Sequence, residues 1–344
     1  LKKAPRNISP REPIYNMALG RYIKHLEKPL FKRLGEVAGH KVVFKGINAL
    51  EQGKLMSTYW NEFNKPVAIG IDASRFDQHQ SITALKVEHE QWLRMVPKQH
   101  RKDLAWLLSL QEHNVGKAWF ANEGVDIKYK VEGTRASGDM NTSSGNCFTM
   151  VMLVVTYMWF IGVKFRLANN GDDCVLIIEQ ADQFKLDTLP AWFSDMGFTM
   201  EIEEPVYTLE QVVFCQTQPV WTPNGYKMVR IPRTAIAKDL SSRCNLTDQH
   251  VCAAWMHAMH AGGLALAGDI PIYRDFYNAY PKITNPRKLN RFAQELKSHT
   301  DSGLARLATN MHSDTKSPIH PRTRYSFWLA FGILPASQLA VERH

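Results

Sequence analysis

Cysteine is scarce in this 344-residue chain. There are five, Cys147, Cys174, Cys215, Cys244 and Cys252. The number is odd and no C-x-x-C occurs, which argues against a disulfide scaffold and for a reducing compartment. Long apolar runs are missing too. The longest, FTMVMLVVTYMWFIGV from Phe148 to Val163, falls short of the roughly 20 residues a membrane helix needs. It follows a polar Ser/Gly/Asn segment, so a buried core helix is expected there. No signal peptide, low-complexity tract or internal repeat is evident. Acidic residues are outnumbered, 33 Asp and Glu against 42 Lys and Arg, for a net charge of +9. That balance suits a polyanionic partner, nucleic acid being the commonest, although an ordinary basic soluble protein would carry it as well. The chain begins at Leu1, inside a basic stretch and without Met, and reads as part of a longer polypeptide.

What is present is globular, 44% hydrophobic and 22% charged, and long enough for two or three packed subdomains. Tyr15 to Leu34 has helical periodicity, with a break expected at Pro29. PVAIGID (66–72) reads as a buried strand, 80–112 as helical and DIKYKVE (126–132) as a half-exposed strand. Lys164–Ala168 and Cys174–Glu179 read as two strands, with Asn170-Gly171 as their turn because both residues tolerate positive φ. Ala181–Gly197 is expected to be one helix with Gly197 as its C-cap, and Phe198–Glu203 a strand. Val212–Val220 and Tyr226–Ile231 read as another hairpin. From about 233 onward the chain looks mostly helical. This order predicts an α+β layer, an antiparallel sheet backed by helices.

Three stretches carry candidate chemistry. In GIDASRFDQHQS (70–81), Asp72 ends an apolar strand and Asp77 follows five residues later. In ANNGDDCVLIIE (168–179), Asp172 and Asp173 follow the turn signal. Converging carboxylates hold divalent cations that keep positions for water and phosphate. Each is also ordinary when alone: Asp72 as a strand cap, and Gly-Asp-Asp as a triplet expected by chance in roughly one chain of this size in fifteen. RASGDMNTSSGN (135–146) opens the apolar helix with small hydroxyls and amides, which suits either helix capping or recognition of a phosphate or sugar hydroxyl. The basic entrance KKAPRNISPR (2–11) suits phosphate binding or a solvated charge run. Cys244, His250, Cys252, His257 and His260 invite a zinc reading, but the spacing fits no common finger, and His257 and His260 lie at helical spacing among Ala, Met and Trp. No zinc is expected.

In order and spacing these stretches resemble the motif series of viral RNA-dependent RNA polymerases. Asp72-x4-Asp77 is similar to motif A, Ser137-Gly138-x3-Thr142-x3-Asn146 to motif B and Gly171-Asp172-Asp173 to motif C. PRNISPR is similar to motif F and VVFCQTQP (212–219) to motif E. The wording DASRFDQH, SGDMNTSSGN and NGDD looks closest to the polymerases of tombusvirus-like positive-strand RNA viruses. The motifs cover about residues 1–230.

The resemblance implies a right-hand polymerase with an RRM-like palm, partial fingers and a mostly helical thumb. The fingers with motif F would occupy 1–65, the palm 66–230 with a fingers insertion at 80–132, and the thumb 231–344. It implies RNA-templated RNA synthesis from NTPs. Asp72 and Asp172 would be the principal ligands of two Mg²⁺ ions, with Mn²⁺ as a substitute, and Asp173 a supporting one. Asp77, Ser137, Thr142 and Asn146 would sense the ribose. Arg6 and Arg11, with Lys3, would grip the triphosphate, and Phe214, Cys215 and Gln216 would support the nascent strand. Template RNA, nascent RNA, NTPs and other viral replication proteins are the implied partners. The implied location is the host cytoplasm, at membrane-associated replication complexes reached through segments or partners outside this chain.

A reverse transcriptase or an inactive RNA-binding palm are the competing readings. The residues that would face the sugar are an acid and an amide rather than an aromatic gate, and the three aspartates are intact; each disfavours one competitor. The sequence departs from the family in LPAWFSDMGFTMEIEE (189–204), which holds no Lys or Arg after Lys185 to act as the general acid of motif D.

Overall fold

The computed structural model describes residues 9–120, 122–281, 304–308 and 310–343. The chain divides into two compact units. One comprises Leu1–Phe44 with Ile69–Glu204, the other Lys45–Ala68 with Pro205–His344.

The first unit is built on a four-stranded sheet. Its strands are β1 (Pro66–Ser74), β4 (Phe165–Asn170), β5 (Asp173–Glu179) and β6 (Thr199–Ile202), in the order β4-β5-β1-β6. A separate hairpin, β2 (His113–Phe120) with β3 (Val125–Glu132), lies between β1 and β4 in the chain. β5 is buried along its middle, from Cys174 to Ile178, as a continuous apolar run in an inner strand should be. β4 and β5 pair antiparallel from Phe165–Ile178 to Asn170–Asp173. β1 and β6 pair antiparallel, with Asp72 opposite Glu201.

The helices Thr142–Phe160 and Leu189–Asp195 pack on this sheet, at β4 and β6, and further helices pack on Thr142–Phe160. The helix Pro13–Ala38 buries Leu19, Ile23, Leu30 and Leu34 and ends at Gly39, whose φ is +75°. It runs through Pro29 instead of breaking there. Pro29 is on the exposed side of the helix, while the buried side chains Ile23 and Leu30 on either side of it hold the axis. Ile82–Met95 is capped by Ser81, whose hydroxyl accepts from the Ala84 amide at 3.1 Å. The expected 80–112 helix is interrupted at Val96-Pro97 and resumes as Lys98–Ser109. The apolar helix Thr142–Phe160 is buried on most of its first three turns. Among the described residues no helix is long and apolar enough to cross a membrane.

The segment expected as one helix over 181–197 is instead a 3₁₀ stretch, Gln180–Thr188, followed by Leu189–Asp195. Pro190 at the start of the second piece explains the division, since it cannot donate into the preceding turn. Gly197 does terminate it, at φ +86°.

In the second unit, the helix Ala49–Trp60 starts with a capping box between Asn48 and Glu51. It packs on a hairpin, β7 (Thr217–Thr222) with β8 (Gly225–Arg230). Gly53 is the contact point; a Cβ there would stand 2.4 Å from the Tyr226 carbonyl oxygen. The expected strand 212–220 begins only at Thr217, because Phe214 and Thr217 exchange backbone hydrogen bonds across a tight turn at Cys215-Gln216. Further on, Pro232–Asp239, Gln249–Ala267, Tyr273–Asn278, Pro321–Phe331 and Pro335–Glu342 are helical. Trp255, Met259, Tyr273, Tyr277 and Phe327 form the core of this unit. The whole is α+β with antiparallel strand pairs.

Candidate active site

The hairpin turn at Gly-Asp-Asp is shifted by one residue from the expected one. Asn170 still pairs with Asp173, so Gly171 and Asp172 are the two central residues. Gly171 has φ +96°, the arrangement of a turn that takes glycine at its first central position. The buried Asn169 side chain clamps the loop from below. Its amide donates to the Gly171 carbonyl at 2.6 Å and to the Cys174 sulfur at 3.0 Å, and its oxygen accepts from the Gly171 amide at 3.3 Å. Periodicity gave no sign of this clamp; an amide just before a Gly turn was the only available signal.

β5 neighbours β1 in the sheet, so Asp173 and Asp72 lie on adjacent strands. Asp72 is exposed, and Asp172 and Asp173 are half-buried. Both Asp72 and Asp173 act on a carboxyl that the sequence did not mark, Glu203. Burial raises the Glu203 pKa, and the charges of Asp173 and Asp72 raise it further. Its side chain lies across Gly70, where a Cβ would stand 2.0 Å from Oε2. The Cys174 thiol is pushed well up by burial, with Asp173 and Asp172 adding to the shift despite the Asn169 hydrogen bond.

Crowded negative charge of this kind fits a divalent cation, and carboxylate oxygen is the hard donor that Mg²⁺ prefers. Among the described residues no three His, Cys, Asp or Glu side chains stand together as a ready-made metal cage. Mg²⁺ commonly takes only one or two carboxylates and completes its shell with water and phosphate oxygens, so the donor set still fits.

The ribose candidates divide. After β1, Arg75 adopts φ +51°, an uncommon backbone for a residue with a side chain, and the chain folds back to Asp77. The Asn146 Nδ2 donates to Asp77 Oδ1 at 2.7 Å. Asn146 Oδ1 is buried without a hydrogen-bond partner. Ser137 and Thr142 are both engaged: Ser137 Oγ accepts from the amide of Ser9, in the N-terminal segment, at 3.0 Å, and Thr142 Oγ1 donates to the Ala136 carbonyl of its own loop at 2.7 Å.

Arg11 also reaches this loop. Its Nε donates to Asp139 Oδ1 at 2.5 Å and its Nη2 to Asp139 Oδ2 at 3.3 Å and to Asn114 Oδ1. Lys3 and Arg6 lie outside the described residues. Phe214, Cys215 and Gln216 belong to the second unit. Phe214 is buried, Cys215 and Gln216 have φ of +51° and +59°, and Gln216 Oε1 accepts from Lys238 Nζ at 3.1 Å. Lys185, the basic residue nearest motif D, is paired with Asp182 at 2.7 Å. His257 and His260 lie on the helix Gln249–Ala267, where a His260 ring nitrogen contacts the Tyr277 carbonyl at 3.0 Å.

The model of the family described as "Viral RNA dependent RNA polymerase" matches residues 2–344. The RNA-directed RNA polymerase of Tobacco necrosis virus (strain A) is 44% identical over 340 residues, covering 98% of this chain and 46% of that protein. That of Oat chlorotic stunt virus (isolate United Kingdom) is 43% identical, covering 99% and 46%. That of Tomato bushy stunt virus (strain Cherry) is 44% identical, covering 98% and 40%. The chain thus spans less than half the length of these curated relatives. With a match over nearly all its residues, it belongs to the viral RNA-dependent RNA polymerase family.

Proposed function

We propose that this chain is the catalytic part of an enzyme that copies an RNA template into RNA from ribonucleoside triphosphates. The observation that carries the reading is the adjacency of β1 and β5, which sets Asp72 and Asp173 against one carboxyl, Glu203. The names of the relatives agree with it. Residues 66–230 serve as the palm, with 1–65 as part of the fingers, 80–132 as a fingers insertion and 231–344 as the thumb.

Asp72 and Asp172, with Asp173 in support, would hold two Mg²⁺ ions, for which Mn²⁺ can substitute. When bound, the ions lower the pKa of the attacking 3′-hydroxyl and stabilise charge on the leaving pyrophosphate. Asp77 orients Asn146, and the unpaired Asn146 Oδ1 accepts the ribose 2′-hydroxyl. A deoxyribonucleotide leaves that buried acceptor unmet, at a cost of about 1–3 kcal/mol. Ser137 and Thr142 shape the loop from which Asn146 follows. Arg11, with Lys3 and Arg6, contributes positive charge for the triphosphate. Phe214, Cys215 and Gln216 support the nascent 3′ end.

The enzyme works with other viral replication proteins in the host cytoplasm, at membranes reached through segments or partners outside this chain. Primer extension on an RNA template tests the activity. RNA product with NTPs and Mg²⁺ supports the reading. Extension only with dNTPs would make the protein a reverse transcriptase, and binding without synthesis an inactive RNA-binding palm.

A further inference from the structure

Beneath the motif B loop lies an ion pair that the reaction does not use directly. Glu88, midway along the helix Ile82–Met95, meets Arg135, and both side chains are only 1% exposed. A charge so deeply buried is costly unless paired, and an apolar pair of similar volume would often be as stable. Here the pairing is also incomplete, because Arg135 Nε and Nη1 are buried without partners. Stability alone is therefore a poor reason for this pair.

Its contacts run towards the ribose candidates. Glu88 Oε2 accepts from Arg135 Nη2, and Oε1 accepts from Asn141 Nδ2 at 2.8 Å and from Trp92 Nε1 at 2.8 Å. Asn141 also accepts at Oδ1 from Gln111 Nε2 at 2.7 Å. One carboxylate thus grips both ends of the loop 135–141. Arg135 donates its backbone N–H to the Asp77 carbonyl at 2.8 Å. Asn141 is the N-cap residue of the helix that bears Asn146. Gly145, next to Asn146, packs directly on the pair: a Cβ there would lie 2.5 Å from the Glu88 oxygens and 2.6 Å from Arg135 Nη1.

We infer that Glu88 and Arg135 are positioning residues that set Asn146 against Asp77 and thereby set the choice of ribose over deoxyribose. The inference rests on the ribose-sensing role proposed for Asn146. The pair touches no substrate. It fixes the Asp77 backbone on one side and the first turn of the Asn146 helix on the other, so the two polar groups meet at one distance.

The test replaces the pair by apolar residues of similar volume, Glu88→Met with Arg135→Met, in the full polymerase chain. Thermal unfolding checks the fold, and kcat/KM for a matched NTP and dNTP is measured beside Asn146→Ala. The expected result is a folded protein whose NTP preference falls about tenfold, as for loss of one buried hydrogen bond. A folded double variant with unchanged preference, beside an Asn146→Ala variant that loses it, overturns the positioning role and leaves the ribose reading intact. Unchanged preference in both overturns the ribose reading and the inference with it. Should the double variant fail to fold, Arg135→Lys keeps the charge but shortens the reach. Hydrogen exchange is then read at the Arg135 and Gly145 amides. Selective loss of their protection supports the role, and unchanged protection overturns it.

Discussion

Asn146 and Asp77, 69 residues apart in the chain, meet in a single hydrogen bond of 2.7 Å. The direction of that bond is testable. Asn146→Asp would set two carboxylates against each other and should weaken NTP incorporation more than Asn146→Ala does. Adding Asp77→Asn restores a donor and an acceptor with their roles exchanged. A double-mutant cycle on kcat/KM should show a favourable coupling of about 1–3 kcal/mol. No coupling would mean that the bond does not serve the reaction.

Asp172 sits at the centre of the β4–β5 turn, where its side chain does not enter the core. Asp172→Asn keeps the shape and removes the charge. Nucleotide incorporation should fall by about a hundredfold or more, the scale seen when a group that stabilises transition-state charge is lost. RNA affinity, read by fluorescence anisotropy, should stay within about twofold. Retained turnover would remove Asp172 from the metal-binding set.

The Arg11–Asp139 pair raises a separate question. The Asp139 side chain is 2% exposed and that of Arg11 19%. Arg11→Ala leaves a buried carboxylate without its charged partner and should cost about 2 kcal/mol in urea unfolding. Asp139→Asn weakens the hold on Arg11 while keeping the guanidinium. If Arg11 serves the triphosphate, that variant should show a lower KM for NTP, and Arg11→Ala a higher one. A stability loss with KM unmoved in both would restrict Arg11 to a structural role.

Acid stability should register Glu88. Burial works to raise its carboxyl, but Arg135 and the Trp92 hydrogen bond outweigh it, and the pKa lies below the ordinary value of 4.5. The unfolded chain then binds the proton more readily than the folded one. The resulting stabilisation is complete above about pH 4.5 and is lost as pH falls through the lower folded value. Urea midpoints should therefore drop with pH in this range, and Glu88→Gln should lack that part of the slope. Parallel slopes in the two proteins would contradict the assignment.

In the second unit, Lys227 Nζ donates to Asp269 Oδ1 at 2.5 Å, to Ser313 Oγ at 2.9 Å and to the Leu266 carbonyl at 3.2 Å. Lys227→Met strands the Asp269 carboxylate and should cost about 3–5 kcal/mol, whereas adding Asp269→Leu should recover much of that loss. Equilibrium unfolding of the three proteins checks both statements.

Local chemistry made much of this protein legible from its residues alone. An apolar run closed by Asp72 becomes β1, an apolar stretch after Gly145 becomes a buried helix, and Gly197 ends a helix at positive φ. These features depend on neighbours within a few residues, which periodicity and turn chemistry report directly. The motif series likewise identified the family, because it is a matter of residue type and spacing. Other features needed the folded chain. Pro29 stays inside a helix because packing on both sides holds it there. The Gly-Asp-Asp turn moves by one residue because Asn170 remains in the ladder and Asn169 clamps the loop. Glu203 joins Asp72 and Asp173, Arg135 finds Glu88 47 residues away, and Arg11 finds Asp139 128 residues away. Such pairings follow from which faces meet when sheet and helices pack, and a carboxylate's partner across that distance leaves no periodic trace in the chain.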